Sequence, residues 1–106
     1  MRILLDECID ERFRHQFADH DCQTARYAHF AGLTNGRLLS AAEAAGFEVI
    51  ITVDQGIPHQ QNIRSKQIAV CVLRVTTNRL SDLIQLVPVI LIGLDSIKPG
   101  EVIILP

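Results

Sequence analysis

An α/β fold with a mainly parallel sheet is predicted for this chain of 106 residues, and three observations predict it. Short apolar runs alternate with stretches of helical periodicity along the whole length. Two of the runs read as central strands: FEVIITV at 47–53, apolar on both faces apart from Glu48, and IAVCVLRV at 68–75. Strands of that kind belong in a sheet covered on both sides by helices. Finally, 48% of the residues are hydrophobic in a length suited to one covered core. The expected architecture is three-layer α/β/α with five strands and right-handed crossovers, in a single domain over residues 1–106.

The elements follow in order. Ile3-Leu4-Leu5 is a short strand ended by Asp6-Glu7. Ile9, Phe13 and Phe17 recur at steps of four, which predicts a helix over 9–18. Residues 22–26 form a weak second strand, and a loop with Gly32 leads to a helix beginning at Asn35-Gly36. Leu38, Leu39, Ala42 and Ala45 give that helix an apolar face, and Gly46 ends it. The strand 47–53 runs into a turn with Gly56 and Pro58, followed by a short helix over 60–64. After the strand 68–75, Asn78 caps a helix from Arg79, and Pro88 kinks or restarts it. Val89 to Ile92 suits a strand by propensity but must bridge two strands, so it is read as helix. Lys98-Pro99-Gly100 turns into a last strand, 101–105.

Composition narrows the function classes. The formal net charge is -2, so no whole-molecule positive field holds nucleic acid, and any such contact must be local. Cys8, Cys22 and Cys71 cannot all pair and show no CxxC spacing, which argues against a disulfide framework or a zinc knuckle. The most apolar stretch, Leu86 to Leu94, falls short of the roughly 18 residues of a membrane span. A cytoplasmic protein is expected.

The first strand ends in Asp6-Glu7 and the third in Thr52-Val53-Asp54. Ligands of parallel sheets sit at the carboxyl ends of strands. If these two strands are neighbours, Asp6, Glu7 and Asp54 converge there. Converging carboxylates repel one another and stay ionised together beside a cation, and an oxygen-only donor set suits Mg²⁺ or Mn²⁺. Metal-assisted attack of water on a phosphodiester is the chemistry such a site supports. The bland alternative is that these acids solvate loops and cap helices.

ILLDE near the N-terminus and ITVD before a turn resemble the small PIN-like family of bacterial predicted nucleases, related to VapC-type toxins. TNGRLLSAAE, ITVDQGIPHQQN, IAVCVLRV, LVPVILIGL and KPGEV resemble one branch of that family in the same order, spanning nearly the whole chain. The resemblance implies a Mg²⁺- or Mn²⁺-dependent ribonuclease, often the toxin of a toxin–antitoxin pair. Its implied partners are RNA and an antitoxin protein, and a homodimer is a further expectation. Asp6 and Asp54 match the family's acids, Glu7 is the adjacent one, and these three are the expected catalytic residues and metal ligands. Many relatives carry further acids where this chain has Asn35 and Gly56. Asn35 still offers a neutral oxygen as a fourth ligand, and Gly56 offers none.

Arg64, Lys66, Arg74 and Arg79 are the positive cluster after Asp54; one reading has them meet phosphates near the same sheet edge, the other makes them a solvated face. Gln55, Gln60, Gln61 and Asn62 are read as polar surface, His59 as a loop histidine, Glu43 as a solvated helix charge. Cys8 sits where a helix start would stabilise a thiolate, yet no partner histidine is near in sequence, so it is read as structural. Aromatic residues are 5% of the chain, which gives little support to a base-stacking platform. Two other function classes compete. A non-catalytic binding module would use Tyr27 to Phe30 or the helix 86–94 as its interface. A receiver-like phosphoacceptor would use Asp6, Glu7, Asp54 and Lys98-Pro99, although a strand rather than a helix follows that Lys-Pro.

Overall fold

The computed structural model describes residues 1–56 and 62–106, and of Asn35 the backbone alone. It is a three-layer α/β fold around one sheet of five strands, all parallel: β1 (Arg2–Leu5), β2 (Asp21–Thr24), β3 (Val49–Thr52), β4 (Ala69–Leu73) and β5 (Val102–Leu105). The spatial order is β2-β1-β3-β4-β5. This is a doubly wound order whose direction reverses between β1 and β3, and ligands of such sheets bind at that switch point.

Residues of odd and even number divide the core between the two faces. Ile3, Leu5, Val49, Ile51 and Cys71 pack under a 3-10 helix (Glu11–Gln16), α2 (Leu80–Ile84) and α3 (Val87–Ser96), with Phe13, Leu83, Ile90 and Leu94 as the facing side chains. Leu4, Ile50, Val70 and Val72 pack under α1 (Asn35–Ala44) and the segment carrying Ile63, with Leu38, Leu39 and Ala42 facing them. Every residue of β3 and β4 is buried, as expected of strands apolar on both sides.

Several expectations are corrected. The stretch expected as a helix over 9–18 is only a six-residue 3-10 helix. Asp10 caps it, its carboxylate accepting from the Arg12 N–H at 2.9 Å. Ile9, Phe13 and Phe17 are nonetheless all buried, and the two rings meet edge to face at 5.2 Å. Ala45 is exposed at the end of α1 rather than on its apolar face. Gly46 does end that helix, at φ +85°, a conformation that favours glycine. Asn78 does not cap the next helix; Arg79 stands at that position, and the Asn78 amide instead donates to the Cys8 carbonyl at 2.8 Å. Pro88 opens a new helix, α3, so Val89 to Ile92 is helical. Of the short helix expected over 60–64, Asn62 to Arg64 are irregular or turn, and Gln60 and Gln61, like Pro58 and His59, lie outside the described residues.

The crossovers do not share one hand. The 3-10 helix joins β1 to β2 on one face, and the next two connections run on the opposite face in the opposite direction, which is the same hand. The connection from β4 to β5 continues in that direction but passes over the face of the 3-10 helix, so it is wound the other way. The expectation of four right-handed crossovers therefore fails at the last one. The physical reason is coverage. The 3-10 helix is too short to cover β3, β4 and β5, and α2 and α3 complete that layer.

Candidate active site at the carboxyl edge

β1 and β3 pair with Leu5 opposite Ile51, and the Asp6 N–H extends the ladder to the Ile51 carbonyl at 3.0 Å. That register sets Asp6 beside Thr52. The Thr52 side chain is fully buried, and its hydroxyl joins both acids. It donates to Asp6 Oδ2 at 2.7 Å and accepts the Asp54 N–H at 3.0 Å. Asp6 Oδ1 accepts the Glu7 N–H at 2.8 Å, and Asp54 Oδ1 accepts the Gly56 N–H at 2.9 Å. A hydrogen bond to a charged group is worth about 1.5–3 kcal/mol, and a buried hydroxyl left unpaired costs about 1–3 kcal/mol. Both terms hold Thr52 and Asp6 together.

Cys8 lies 3.9 Å from the same hydroxyl. The hydroxyl's one hydrogen is spent on a carboxylate, which only accepts, so the thiol donates. Burial, with Asp6 close by, pushes the Cys8 thiol above its ordinary range. The thiolate stabilisation suggested by a helix start is absent, and Cys8 is a structural thiol. The loop after β1 is held at two further points. Asn78 grips the Cys8 carbonyl, and the Glu7 carboxylate accepts the Gly32 N–H at 3.3 Å.

Asp6, Glu7, Cys8, Thr34, Leu38 and Asp54 line a cleft of about 240 Å³. The three acids expected together from the sequence thus share one hollow at the switch point. Asn35 opens α1 next to Thr34, but its side chain lies outside the described residues. Among the described residues no Lys, Arg or His nitrogen pairs with Asp6, Glu7 or Asp54; the ion pairs there are Arg2–Asp21 and Arg12–Asp10. Nor do three His, Cys, Asp or Glu side chains among the described residues converge tightly enough to enclose an ion by themselves.

The four basic residues are not brought together. Arg74 follows β4 and Arg79 begins α2, both at the carboxyl edge. Arg64 and Lys66 precede β4 at the amino edge, where Gly100 packs against the Arg64 carbonyl. Their expected place near the acids is corrected. Glu43 is not simply solvated, since its carboxylate accepts the Gln67 N–H at 2.5 Å. Sequence reasoning missed Thr52, whose role depends on strand register, and Arg26, whose place beside Glu7 depends on β2 lying next to β1. The TxD spacing after an apolar strand was the signal available for Thr52.

Comparison with family models, curated proteins and solved structures finds no match. Among the described residues no helix is long and apolar enough to cross a membrane.

Proposed function

We propose that the chain is a Mg²⁺- or Mn²⁺-dependent ribonuclease of PIN-like type that hydrolyses RNA phosphodiesters at its carboxyl edge. The observation that carries this reading is the cleft at the β1/β3 switch point, lined by Asp6, Glu7 and Asp54 with no basic side chain paired to them among the described residues. Such a hollow is electrostatically incomplete without a cation. Its donors fit a hard one. Mg²⁺ is commonly held by one or two carboxylates, with water and substrate phosphate completing the shell, so no enclosing cage of protein ligands is needed. Asp6 and Asp54 would hold it, with Glu7 beside them.

A cation held there by Asp6 and Asp54 would supply acidification of the attacking water and charge stabilisation at phosphorus and the leaving 3′ oxygen. The chain's own groups do the rest. Asp6 or Asp54 takes the proton of the attacking water. Thr52 keeps the Asp6 carboxylate and the Asp54 backbone in fixed relation, and Asn78 holds the loop that carries Glu7. As the toxin of a pair, the protein would act in the cytoplasm and be restrained by an antitoxin protein or by association with a second copy.

The strand order favours one other reading, because receiver-like phosphoacceptor domains share it. Against it, Lys98 stands before β5, at the opposite edge of the sheet from Asp54, about 13 Å away along a four-residue strand. Acetyl phosphate labelling of Asp54 is the check, and no label is expected.

The deciding experiment is cleavage of mixed single-stranded RNA with and without Mn²⁺. Folded wild type is expected to cut only with metal, and Asp6→Asn and Asp54→Asn to lose about 100-fold or more. A folded wild type that cuts nothing over a wide range of metals hands the cleft to the non-catalytic binding module.

A further inference from the structure

The acid cleft does not end at Glu7. A second hollow, about 300 Å³, lies between Glu7, Ile9, Glu11, Thr24 and Arg26. A third, about 370 Å³, shares Glu11 and Thr24 with the second and follows β2 back through Gln23 and Cys22 to Asp21, with Tyr27 and Arg14 in its walls. The shared walls make one trough that starts at the carboxyl ends of β1 and β2 and continues down the side of β2 to its amino end. It opens sideways, because β2 is an edge strand with no neighbour beyond it.

The chemistry changes along its length. At one end stand the acids. Further out are Arg26 and Arg14, neither paired with a carboxylate among the described residues. Between and beside them is Tyr27, the chain's only tyrosine, with 73% of its surface exposed. The Phe30 ring three residues on turns the other way, meeting Phe47 edge to face at 6.3 Å against the core.

Arg26 and Tyr27 are presented on a tightly bonded turn rather than a loose loop. Thr24 Oγ1 accepts the Tyr27 N–H at 3.1 Å, and the Thr24 carbonyl accepts the Ala28 N–H at 3.0 Å. His29 closes the turn at φ +65°, its N–H bonded to the Arg26 carbonyl, and Phe30 N–H returns to the Ala25 carbonyl at 2.7 Å. The turn is anchored below by buried Ala25 and Thr24. A rigidly offered aromatic plate costs little entropy on binding.

A flat aromatic surface flanked by free guanidinium groups suits a strand that alternates π faces with anionic linkers. Single-stranded nucleic acid has that composition, and stacking tolerates any base. A duplex keeps its base faces stacked inside and offers none to Tyr27. Glu7 and Glu11 at the waist repel phosphate, while Asp21 at the far end is paired with Arg2, which favours phosphates at Arg26, at Arg14 and at the metal end.

We infer that this trough is the path of single-stranded RNA into the acid cleft, with Tyr27 stacking a base and Arg26 and Arg14 holding phosphates on one side of the scissile bond. The inference rests on the ribonuclease reading and adds where the substrate lies.

The test is fluorescence anisotropy of a short, labelled single-stranded RNA of mixed sequence, with Ca²⁺ replacing Mn²⁺ so that the RNA stays uncut. Tyr27→Ala is expected to weaken binding about tenfold while Tyr27→Phe, which keeps the ring, restores it. Arg26→Ala and Arg14→Ala are expected to weaken binding and flatten its salt dependence. Arg64→Ala and Lys66→Ala, at the amino edge, are expected to leave it unchanged. The five side chains changed are exposed or, for Lys66, half-buried, and circular dichroism checks the fold of each variant. Wild-type binding that survives Tyr27→Ala and Arg26→Ala, or that is lost on Arg64→Ala or Lys66→Ala instead, overturns the trough and leaves the ribonuclease reading standing. A wild type that binds no RNA at all removes both.

Discussion

The two edges of the sheet use their charges in opposite ways. At the amino edge, carboxylates are tied into the structure. Asp21 pairs with Arg2 at 3.2 Å, Glu48 accepts the Arg2 backbone N–H at 3.0 Å, and Glu101 accepts the Lys98 N–H at 2.7 Å. The Arg2 guanidinium also bonds the Ala45 carbonyl and lies 4.3 Å from the centre of the Phe47 ring. At the carboxyl edge, Asp6, Glu7 and Asp54 receive, among the described residues, only N–H and hydroxyl donors, so their charge is oriented but not neutralised by those residues. The same residue types serve as fastenings at one end of the strands and as an unspent field at the other. What separates them is grouping: the amino-edge acids are fastened one by one, Asp21 to a guanidinium and Glu48 and Glu101 to backbone N–H groups, whereas Asp6, Glu7 and Asp54 line one cleft, which no single acid in the sequence reveals.

The comparison breaks most visibly if amino-edge acids matter as much as carboxyl-edge ones. Glu48→Gln is expected to keep Mn²⁺-dependent RNA cleavage within about twofold, against the loss of about 100-fold or more expected for Asp6→Asn. Equal losses in the two variants would dissolve the distinction.

A smaller effect sharpens it. Thr52→Val removes the hydroxyl while keeping the shape, and it is expected to weaken Mn²⁺ binding about tenfold, read by electron paramagnetic resonance. Thr52→Ser is expected to retain it. In the Val variant, amide exchange at Asp54 should quicken, because that N–H has lost its acceptor; unchanged exchange in a folded variant would show that Thr52 does not hold the acids.

The amino edge has its own test, in stability rather than activity. A Cβ at Gly46 must adopt φ +85° and would stand 3.1 Å from the Arg2 guanidinium. Gly46→Ala is expected to cost about 1–2 kcal/mol in urea unfolding, with metal binding intact.

The smallest effect concerns pH. Burial pushes the thiols of Cys22 and Cys71 up to about 12. The folded state then holds these protons more tightly than the unfolded chain, whose thiols titrate near about 8.5. Their contribution is complete below that value and is lost as pH climbs toward 12. Thermal melts should show falling stability through this window, with a shallower fall in Cys22→Ala; parallel curves would assign the decline to other groups.

Much of the frame was legible in the sequence because burial writes itself into composition. The strands β3 and β4 are apolar on both faces, so the covered parallel sheet and the acids at its strand ends could be read directly. What failed was whatever depends on partners distant in sequence. Ile9, Phe13 and Phe17 mark a buried face correctly, but their spacing cannot report that Asp10 starts a tight 3-10 turn. Asn78 looks like a helix cap and is instead a tether to Cys8, 70 residues away. Arg64 and Lys66 follow Asp54 closely along the chain, yet Asp54 stands after β3 at the carboxyl edge and they stand before β4 at the amino edge. The trough was hidden for the same reason, since Glu7 and Arg26 meet only when β2 lies next to β1.

The reversed last crossover bears on the order in which the molecule is made. Synthesis runs from β1 to β4 through three connections of one hand, and those four strands already flank both acids and the switch point. The strand that departs from the pattern arrives afterwards and joins at the outside, against β4. The strands around Asp6 and Asp54 are therefore made before the turn of opposite sense, which then lends that site the Asn78 tether.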